Sequence, residues 1–385
     1  QIGGKLSVSC GTIALSSRSA YSSFPTVLPN NTRTFFFEVP EEDHIFDESV
    51  VSFADISWGH VEEITLQRVR YLHLNQTRLY GLSRLKVLRL KYDTLTQIAH
   101  CDTFLPIPNV EVLDLSYNPR LSLKSVVAAL NDSLPNLKYL DLCNLQAALS
   151  EQFTLNKDFA MAIENKPLIT LNISNSRISF LDDGLTSKSI RYLNLSNTYS
   201  LWLAYSPNRN LFPRVEELDI SNTSFLWRQH GVETVHRILH CVPFILSIKR
   251  LIASNLRTKE PIYLHDYRFR VPCNTISIEE LYFRHSNIRK FNVTIDKTLS
   301  NLKLLDFEGN SMEVLSPQLM QNIPNLQEIY LARNKLSTMA NLGDLFQGNI
   351  VLKVVDLSHN GLELIPWSMF THTPRLEILR LQGNL

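Results

Sequence analysis

With 385 residues, 44% of them hydrophobic and 19% charged, the chain has the composition of an ordinary folded protein without a low-complexity tract. Lys plus Arg (38) and Asp plus Glu (37) nearly cancel, so a general electrostatic pull toward nucleic acid or an anionic membrane is not supported, and only a local basic patch is left open. No run approaches the roughly 18 apolar residues of a membrane span; the most apolar one, around 239–248, is broken by His240, Pro243 and Ser247.

The chain opens at Gln1 with no charged segment leading into an apolar one, so a signal peptide is expected to have been removed already. From residue 61 onward one period governs the sequence. The template L-x-x-L-x-L-x-x-N-x-L is met first in looser form, by copies starting at Val61, Leu85, Val110, Leu137, Leu168, Ile190, Val215, Ile248 and Ile278. It is then met strictly by "LKLLDFEGNSM" from Leu302, "LQEIYLARNKL" from Leu326, "LKVVDLSHNGL" from Leu352 and "LEILRLQGN" from Leu376. These 13 copies are spaced 22 to 33 residues apart.

The first, fourth and sixth positions place apolar side chains on one side of a short strand and its approach. The ninth is Asn at Asn118, Asn310, Asn334, Asn360 and Asn384, an amide suited to bonding the backbone where the chain turns out of the strand. Ser176, Thr198, Thr223 and Ser286 stand there in other copies, and Asp93 in one. In the copies at Leu137 and Ile248 the Asn falls one position early, which leaves register less secure there. No copy buries its leucines alone, but stacked copies do, with strands about 4.8 Å apart. The predicted fold is an α/β solenoid: a curved horseshoe with a parallel β-sheet on its concave face and irregular or short helical segments on its convex side. Residues 1–60 form an N-terminal cap and lead-in repeat, and 61–385 the repeats.

These copies resemble the extracellular leucine-rich repeats. Irregular spacing, frequent L-S-N-T endings and the segment "FPTVLPNNTRTFFFEV" (24–39) look most like the N-terminal part of a Toll-like receptor ectodomain. That segment resembles the family's cap, with Phe35 and Phe37 in leucine places. Two features depart from the family: Cys10 has no cysteine partner before Cys101, and the chain ends at Leu385 within a repeat, as expected of a truncated piece. The resemblance implies a receptor ectodomain that binds a microbial or endogenous ligand, dimerises with itself or a related receptor, and carries N-linked glycans. It implies the extracellular face of the cell membrane, with an endosomal lumen as the other compartment, and membrane attachment only through a missing C-terminal segment. An adhesion or matrix protein, or a soluble co-receptor, is the alternative.

No motif of catalytic grade is present, so no enzyme, cofactor or metal site is expected. His236 and His240, four apart beside Cys241, lack further ligands at firm spacing. Five cysteines form no metal-spaced cluster, and the odd count leaves at least one free or paired outside the chain. Cys241 and Cys273 flank the most irregular copy and are expected to form a disulfide, whereas Cys143, just after its strand, reads as a free small residue. The fifth positions Asp114, Asp141, Asp219, Asp306 and Asp356 make an outward carboxylate column, interrupted by Arg89, Asn172, Asn194, Tyr282, Tyr330 and Arg380; the plain reading is a favoured strand sequence. Without a Lys/Arg stripe at outward positions, nucleic acid is not the expected ligand. Seven sequons offer glycan sites at Asn30, Asn75, Asn131, Asn172, Asn194, Asn222 and Asn292. Glycan on Asn172 and Asn194 would cover part of the concave face and send partners elsewhere. Trp227, Arg228, Tyr263 and Tyr267, in irregular excursions, are the candidate contacts.

Overall fold

Each of the 13 repeat starts lies two residues ahead of an observed strand, from Val61 before Glu63–Gln67 to Leu376 before Ile378–Arg380, including the weakest copy, Ile248 before Arg250–Ile252. The computed structural model describes residues 12–16, 24–25, 27–29, 31–39, 51–69, 72–92, 94–145, 153–176, 178–181, 187–198, 201–203, 213–223, 225–226, 228–229, 232–233, 247–257, 261–265, 278–292, 299–315, 317–338 and 342–385. The chain divides into two compact units, 1–192 and 193–385.

In the first unit, Thr12–Ser16, Thr34–Glu38, Glu63–Gln67, Val87–Lys91, Val112–Asp114, Tyr139–Asp141 and Thr170–Asn172 pair in that order, all parallel. In the second, Glu217–Asp219, Arg250–Ile252, Glu280–Tyr282, Leu304–Asp306, Glu328–Tyr330, Val354–Asp356 and Ile378–Arg380 do the same. Both are leucine-rich-repeat solenoids. Register matches repeat position to repeat position, as in Leu113 opposite Leu140 and Leu305 opposite Ile329. A one-residue slip would turn every leucine outward. Fourth- and sixth-position side chains such as Leu88, Leu90, Leu305 and Phe307 are buried, each contributing roughly 1.5–3 kcal/mol of apolar burial. The parallel pairing begins two strands before Val61, with Phe35 and Phe37 buried in the leucine places. Returns behind the strands are short: the helices Leu123–Leu130 and Lys157–Glu164, the 3-10 turns Leu336–Thr338 and Trp367–Phe370, and a second layer of small strands such as Ile262–His265, Ile288–Asn292 and Val314–Leu315.

Two backbone devices end each strand. The eighth position has positive φ in all 13 copies, between 48° at His285 and 71° at Gly309 and Gly383. This corrects the expectation for the Leu137 and Ile248 copies. Asn144 (φ 57°) and Asn255 (φ 53°) are not slipped ninth-position residues but occupy the left-handed eighth position, where Asn is tolerated. Leu145 and Leu256 fill the ninth and are buried, so register is intact.

The ninth position forms an asparagine ladder. Asn334 Nδ2 donates to the sixth-position carbonyls of the preceding copy, Phe307 (2.9 Å), and of its own, Leu331 (3.0 Å), while its Oδ1 accepts from Met312 N–H at 3.0 Å. Asn118, Asn310, Asn360 and Asn384 repeat the double donation. The hydroxyls do part of it: Thr198 and Thr223 reach only their own copy's carbonyl, whereas Ser176 and Ser286 reach back to the preceding one. A second ladder stands at the opposite end of the strands. Asn109, Asn136 and Asn325, each just before a repeat start, donate to Ser83, Pro108 and Ser300 carbonyls at 2.9, 3.2 and 2.8 Å.

Candidate recognition surface

Third, fifth and seventh positions face away from the leucines, although several of them, such as Asp114, Ser116, Asp141 and Asp306, are buried beneath their neighbours, so a partner can reach only part of this face. The fifth-position acids and amides are first of all structural. Asp114, Asp141, Asn172, Asn194, Asp219, Asp306 and Asp356 each accept, through one side-chain oxygen, the backbone N–H two residues on, at 2.8–3.2 Å. This local turn satisfies a donor that leaves the sheet, and it explains why L-D-L and L-N-L recur.

In the first unit the remaining acceptors build a connected polar face. Lys91 Nζ lies 2.9 Å from Asp114 Oδ2. Tyr139 Oη and Asn172 Nδ2 both donate to Asp141 Oδ2, each at 3.0 Å. Burial pushes the Asp141 carboxyl up, against the Cys143 N–H that it accepts and with Asp114 adding to the rise; burial likewise pushes the Tyr139 hydroxyl up. Beside this face, three consecutive eighth positions carry large side chains. The Arg68 guanidinium lies 5.5 Å from the Tyr92 ring centre, and Tyr92 stacks on Tyr117 at 4.9 Å and 23°. Tyr117 stays 39% exposed. Cys143 is a free, buried thiol beside it, and burial pushes that thiol up, so it is poorly suited to be a nucleophile. Cys101 is free and exposed.

In the second unit the outward arginines are matched by acids. Arg250 lies 3.4 and 3.1 Å from Glu217 and Glu280 carboxylates and 5.1 Å from the centre of the Tyr282 ring. Tyr330 Oη donates to Glu328 at 2.7 Å, and burial pushes that hydroxyl up to about 12. Arg284 Nε lies 2.6 Å from Asp306, whose side chain is wholly buried. Burial raises the Asp306 carboxyl and Arg284 opposes the rise. Arg284→Met is expected to lower stability at pH 7 by about 1–3 kcal/mol, less than the roughly 3–5 kcal/mol of breaking a fully buried pair because the guanidinium is half exposed. Without Arg284 the folded state holds the Asp306 proton more tightly than the unfolded chain, so the deficit is full at neutral pH. It shrinks as pH falls through the raised folded value toward the ordinary 3.8. Urea unfolding at pH 7 and near pH 4 checks both.

The sequons fall on different faces. Asn75 caps the helix Gln76–Leu79, and Asn131 follows Leu123–Leu130 on an exposed turn. Asn172 and Asn194 sit at outward fifth positions and Asn222 at an eighth. A glycan attaches through Nδ2, so the Oδ1 bond of Asn194 to Ser196 N–H is compatible with modification, whereas Asn172 uses its Nδ2 to donate to Asp141 as well as its Oδ1 to accept from Ser174 N–H. Asn292 ends Ile288–Asn292, and Asn30 lies outside the described residues. Cys10, Cys241, Cys273, His236, His240, Trp227 and Tyr267 also lie outside them. Arg228 belongs to Arg228–Gln229, paired antiparallel with Val232–Glu233, and Tyr263 to Ile262–His265. The Arg68–Tyr92–Tyr117 row escaped the sequence reading because its signal, three bulky residues at the eighth position, is visible only once that position is known to be left-handed and at the sheet edge.

Residues 276–336 match the leucine-rich-repeat family model, within the same fold that both units show. The chain has the leucine-rich-repeat fold. Among its curated relatives, CD180 antigen of Mus musculus is 23% identical over 94% of this chain and 66% of its own length. Osteomodulin of Bos taurus, a different kind of relative, is 24% identical over 62% of this chain and 54% of its own length. Of solved structures, Toll in the Drosophila Toll–Spatzle complex gives a TM-score of 0.61 at 17% identity, covering 93% of this chain and 46% of that one. The TLR13–ssRNA13 complex gives 0.57 at 17% identity, covering 92% and 52%. The chain thus spans about two thirds or less of these proteins. No helix among the described residues is long and apolar enough to cross a membrane.

Proposed function

We propose that this chain is the recognition part of an innate-immune receptor ectodomain of the Toll-like kind. It takes a microbial or endogenous ligand, meets a second receptor copy, and acts by binding rather than catalysis. It is read as N-glycosylated, held on the extracellular face of the cell membrane or in an endosomal lumen, with Cys241 and Cys273 joined and residues 1–60 capping the repeats of 61–385. Trp227, Arg228, Tyr263 and Tyr267 are proposed as secondary contacts. The reading is supported by the likeness to CD180 and to Toll, and one observation carries the choice of surface. The Arg68–Tyr92–Tyr117 row is a half-buried stack that ends on the exposed Tyr117, with Arg68 also ion-paired to Glu38, and its aromatic rings are of the kind that dominates binding energy. Tyr92 stands three strands, about 14 Å, from the sequon at Asn172. The likeness to osteomodulin favours a second reading, a matrix protein in which the same edge holds a structural partner.

The test uses glycosylated protein secreted from eukaryotic cells and a surface-plasmon-resonance panel of microbial and protein ligand classes. For the ligand found, Tyr92→Ala with Tyr117→Ala is expected to weaken binding about 30-fold, the effect of losing a hot spot. Mass spectrometry is expected to find glycan on Asn194 and Asn172. Unchanged affinity in a folded double variant would sink the proposed surface, and an unmodified Asn194 would remove the reason for looking away from the central sheet face. A ligand confined to matrix components would decide for the second reading.

A further inference from the structure

A row of matched charges runs along the edge where the strands begin, at the second repeat position. In the first unit Lys86 Nζ lies 2.8 Å from Glu62 and Lys138 Nζ 2.8 Å from Glu111. In the second, Lys249 lies 3.2 Å from Glu216 and Lys303 2.6 Å from Glu279. The rule is local: each lysine is neutralised by the glutamate one strand earlier. Lys353 breaks it. The residue one strand earlier is Gln327, and no ion pair joins Lys353 to Glu377 on its other side.

That break coincides with a cavity of about 270 Å³ in the second unit. Its walls are second-position residues and the residues just before repeat starts, chiefly the carboxylate of Glu279 with Lys303, Asn325, Gln327, Lys353 and Arg375. Lys303 is committed to Glu279, and Asn325 Nδ2 to Ser300 O at 2.8 Å. The side chains of Gln327, Lys353 and Arg375 make no hydrogen bond or ion pair among the described residues. A cavity with two unmatched cations on one side and a free amide with the Asn325 carbonyl oxygen on the other has the donors and acceptors for a polyhydroxylated anion. It is much larger than an inorganic oxyanion needs. Two cations do not make the extended stripe that a nucleic-acid backbone requires.

We propose that this cavity binds an acidic sugar unit, its sulfate or carboxylate on Lys353 and Arg375 and its hydroxyls on Gln327 and Asn325. The site shares no residue with the Arg68–Tyr92–Tyr117 edge, and the proposal does not depend on the receptor reading.

The experiment is calorimetric titration of the whole chain with a monosulfated chondroitin disaccharide, with neutral diacetylchitobiose, inorganic sulfate and a random single-stranded RNA as comparison probes. Saturable, salt-sensitive binding of the sulfated disaccharide is expected, with at least about a tenfold loss in Lys353→Gln combined with Arg375→Gln, the effect of losing about 1.4 kcal/mol of charge-assisted contacts. Gln327→Glu gives the sharper result. It restores the charge pairing of the neighbouring copies, recruits Lys353, and is expected to cost binding as much while removing no cation and leaving the thermal unfolding midpoint unchanged or raised. Absence of saturable binding, or binding indifferent to these variants, overturns the proposal. Equal competition by inorganic sulfate would show an adventitious anion only. Stronger, equally variant-sensitive binding of the RNA would make the site a polyanion contact instead.

Discussion

Asn334→Ala is expected to lower the free energy of unfolding by about 3–5 kcal/mol, far more than its modest change in volume would suggest. The amide satisfies three buried backbone groups at once: the carbonyls of Phe307 and Leu331 and the N–H of Met312. Alanine leaves the Met312 N–H without a partner, at about 1–3 kcal/mol, and takes one of two donors from each carbonyl, at about 0.5–1.5 kcal/mol each, because Asn310 and Asn360 still reach them. Asn310 donates to Phe307 O at 2.9 Å and Asn360 to Leu331 O at 2.9 Å. Most of the expected loss therefore falls on the Met312 N–H and on the turn that the side chain holds. Asn334→Ser should recover part of it, because Ser286 in the same place reaches the preceding copy's Ala253 carbonyl at 3.0 Å. Urea unfolding followed by far-UV circular dichroism measures both. A loss below about 1 kcal/mol for the alanine variant would mean that the ladder is ornamental to stability.

The ladder also shows why so much of this fold was legible. Repetition presents the same physical demand thirteen times, so a leucine pattern that is ambiguous in one copy is decided by its neighbours, and even the Ile248 copy paired where its period placed it. The ninth-position asparagines were legible because a single residue type meets that demand best. The eighth position was not, although its demand is as strict. Asn144, Asn175, Asn197, Gly309 and Gly383 are natural residues for positive φ, but Tyr92, Tyr117 and Arg333 adopt it as well, so no residue type announces the position. The second ladder, carried by Asn109, Asn136 and Asn325, sits just outside the template, where no periodic leucine signal marks it. Outward residues are less legible still. Lys353 reads as one more surface lysine until the pairing of Lys303 with Glu279 shows what it lacks.

The aromatic box behind the lead-in strands was legible only in its outline, and it carries the other large expected effect. Phe35 and Phe37 stood in leucine places in the sequence, but Phe24, Phe53 and Trp58 come from segments with no repeat pattern. Trp58, in the 3-10 turn Ile56–His60, is wholly buried. Its ring stacks on Phe24 at 5.8 Å and meets Phe35 and Phe53 edge-on at 5.0 and 4.8 Å. The turn that presents it is fixed by Asp55, which accepts from Ser57 N–H at 2.8 Å, and by Ser57 Oγ, which accepts from Leu28 N–H at 2.9 Å. The wall behind is equally closed: a Cβ added at Gly81 would lie 1.7 Å from the Phe53 carbonyl oxygen, so the backbone there approaches as only glycine allows. Such a box cannot collapse around a void, because its partners are rigid rings held at fixed separations by strands and a capped turn. Trp58→Ala should therefore fall toward the upper end of the 3–5 kcal/mol typical of large aromatic truncations, and Trp58→Phe, which keeps an aromatic ring in the box, should cost roughly 1–2 kcal/mol less than that. Thermal unfolding with near-UV circular dichroism separates the two outcomes. If alanine at position 58 cost under about 1 kcal/mol, the lead-in strands would have to be held by their backbone pairing to Glu63–Gln67 alone.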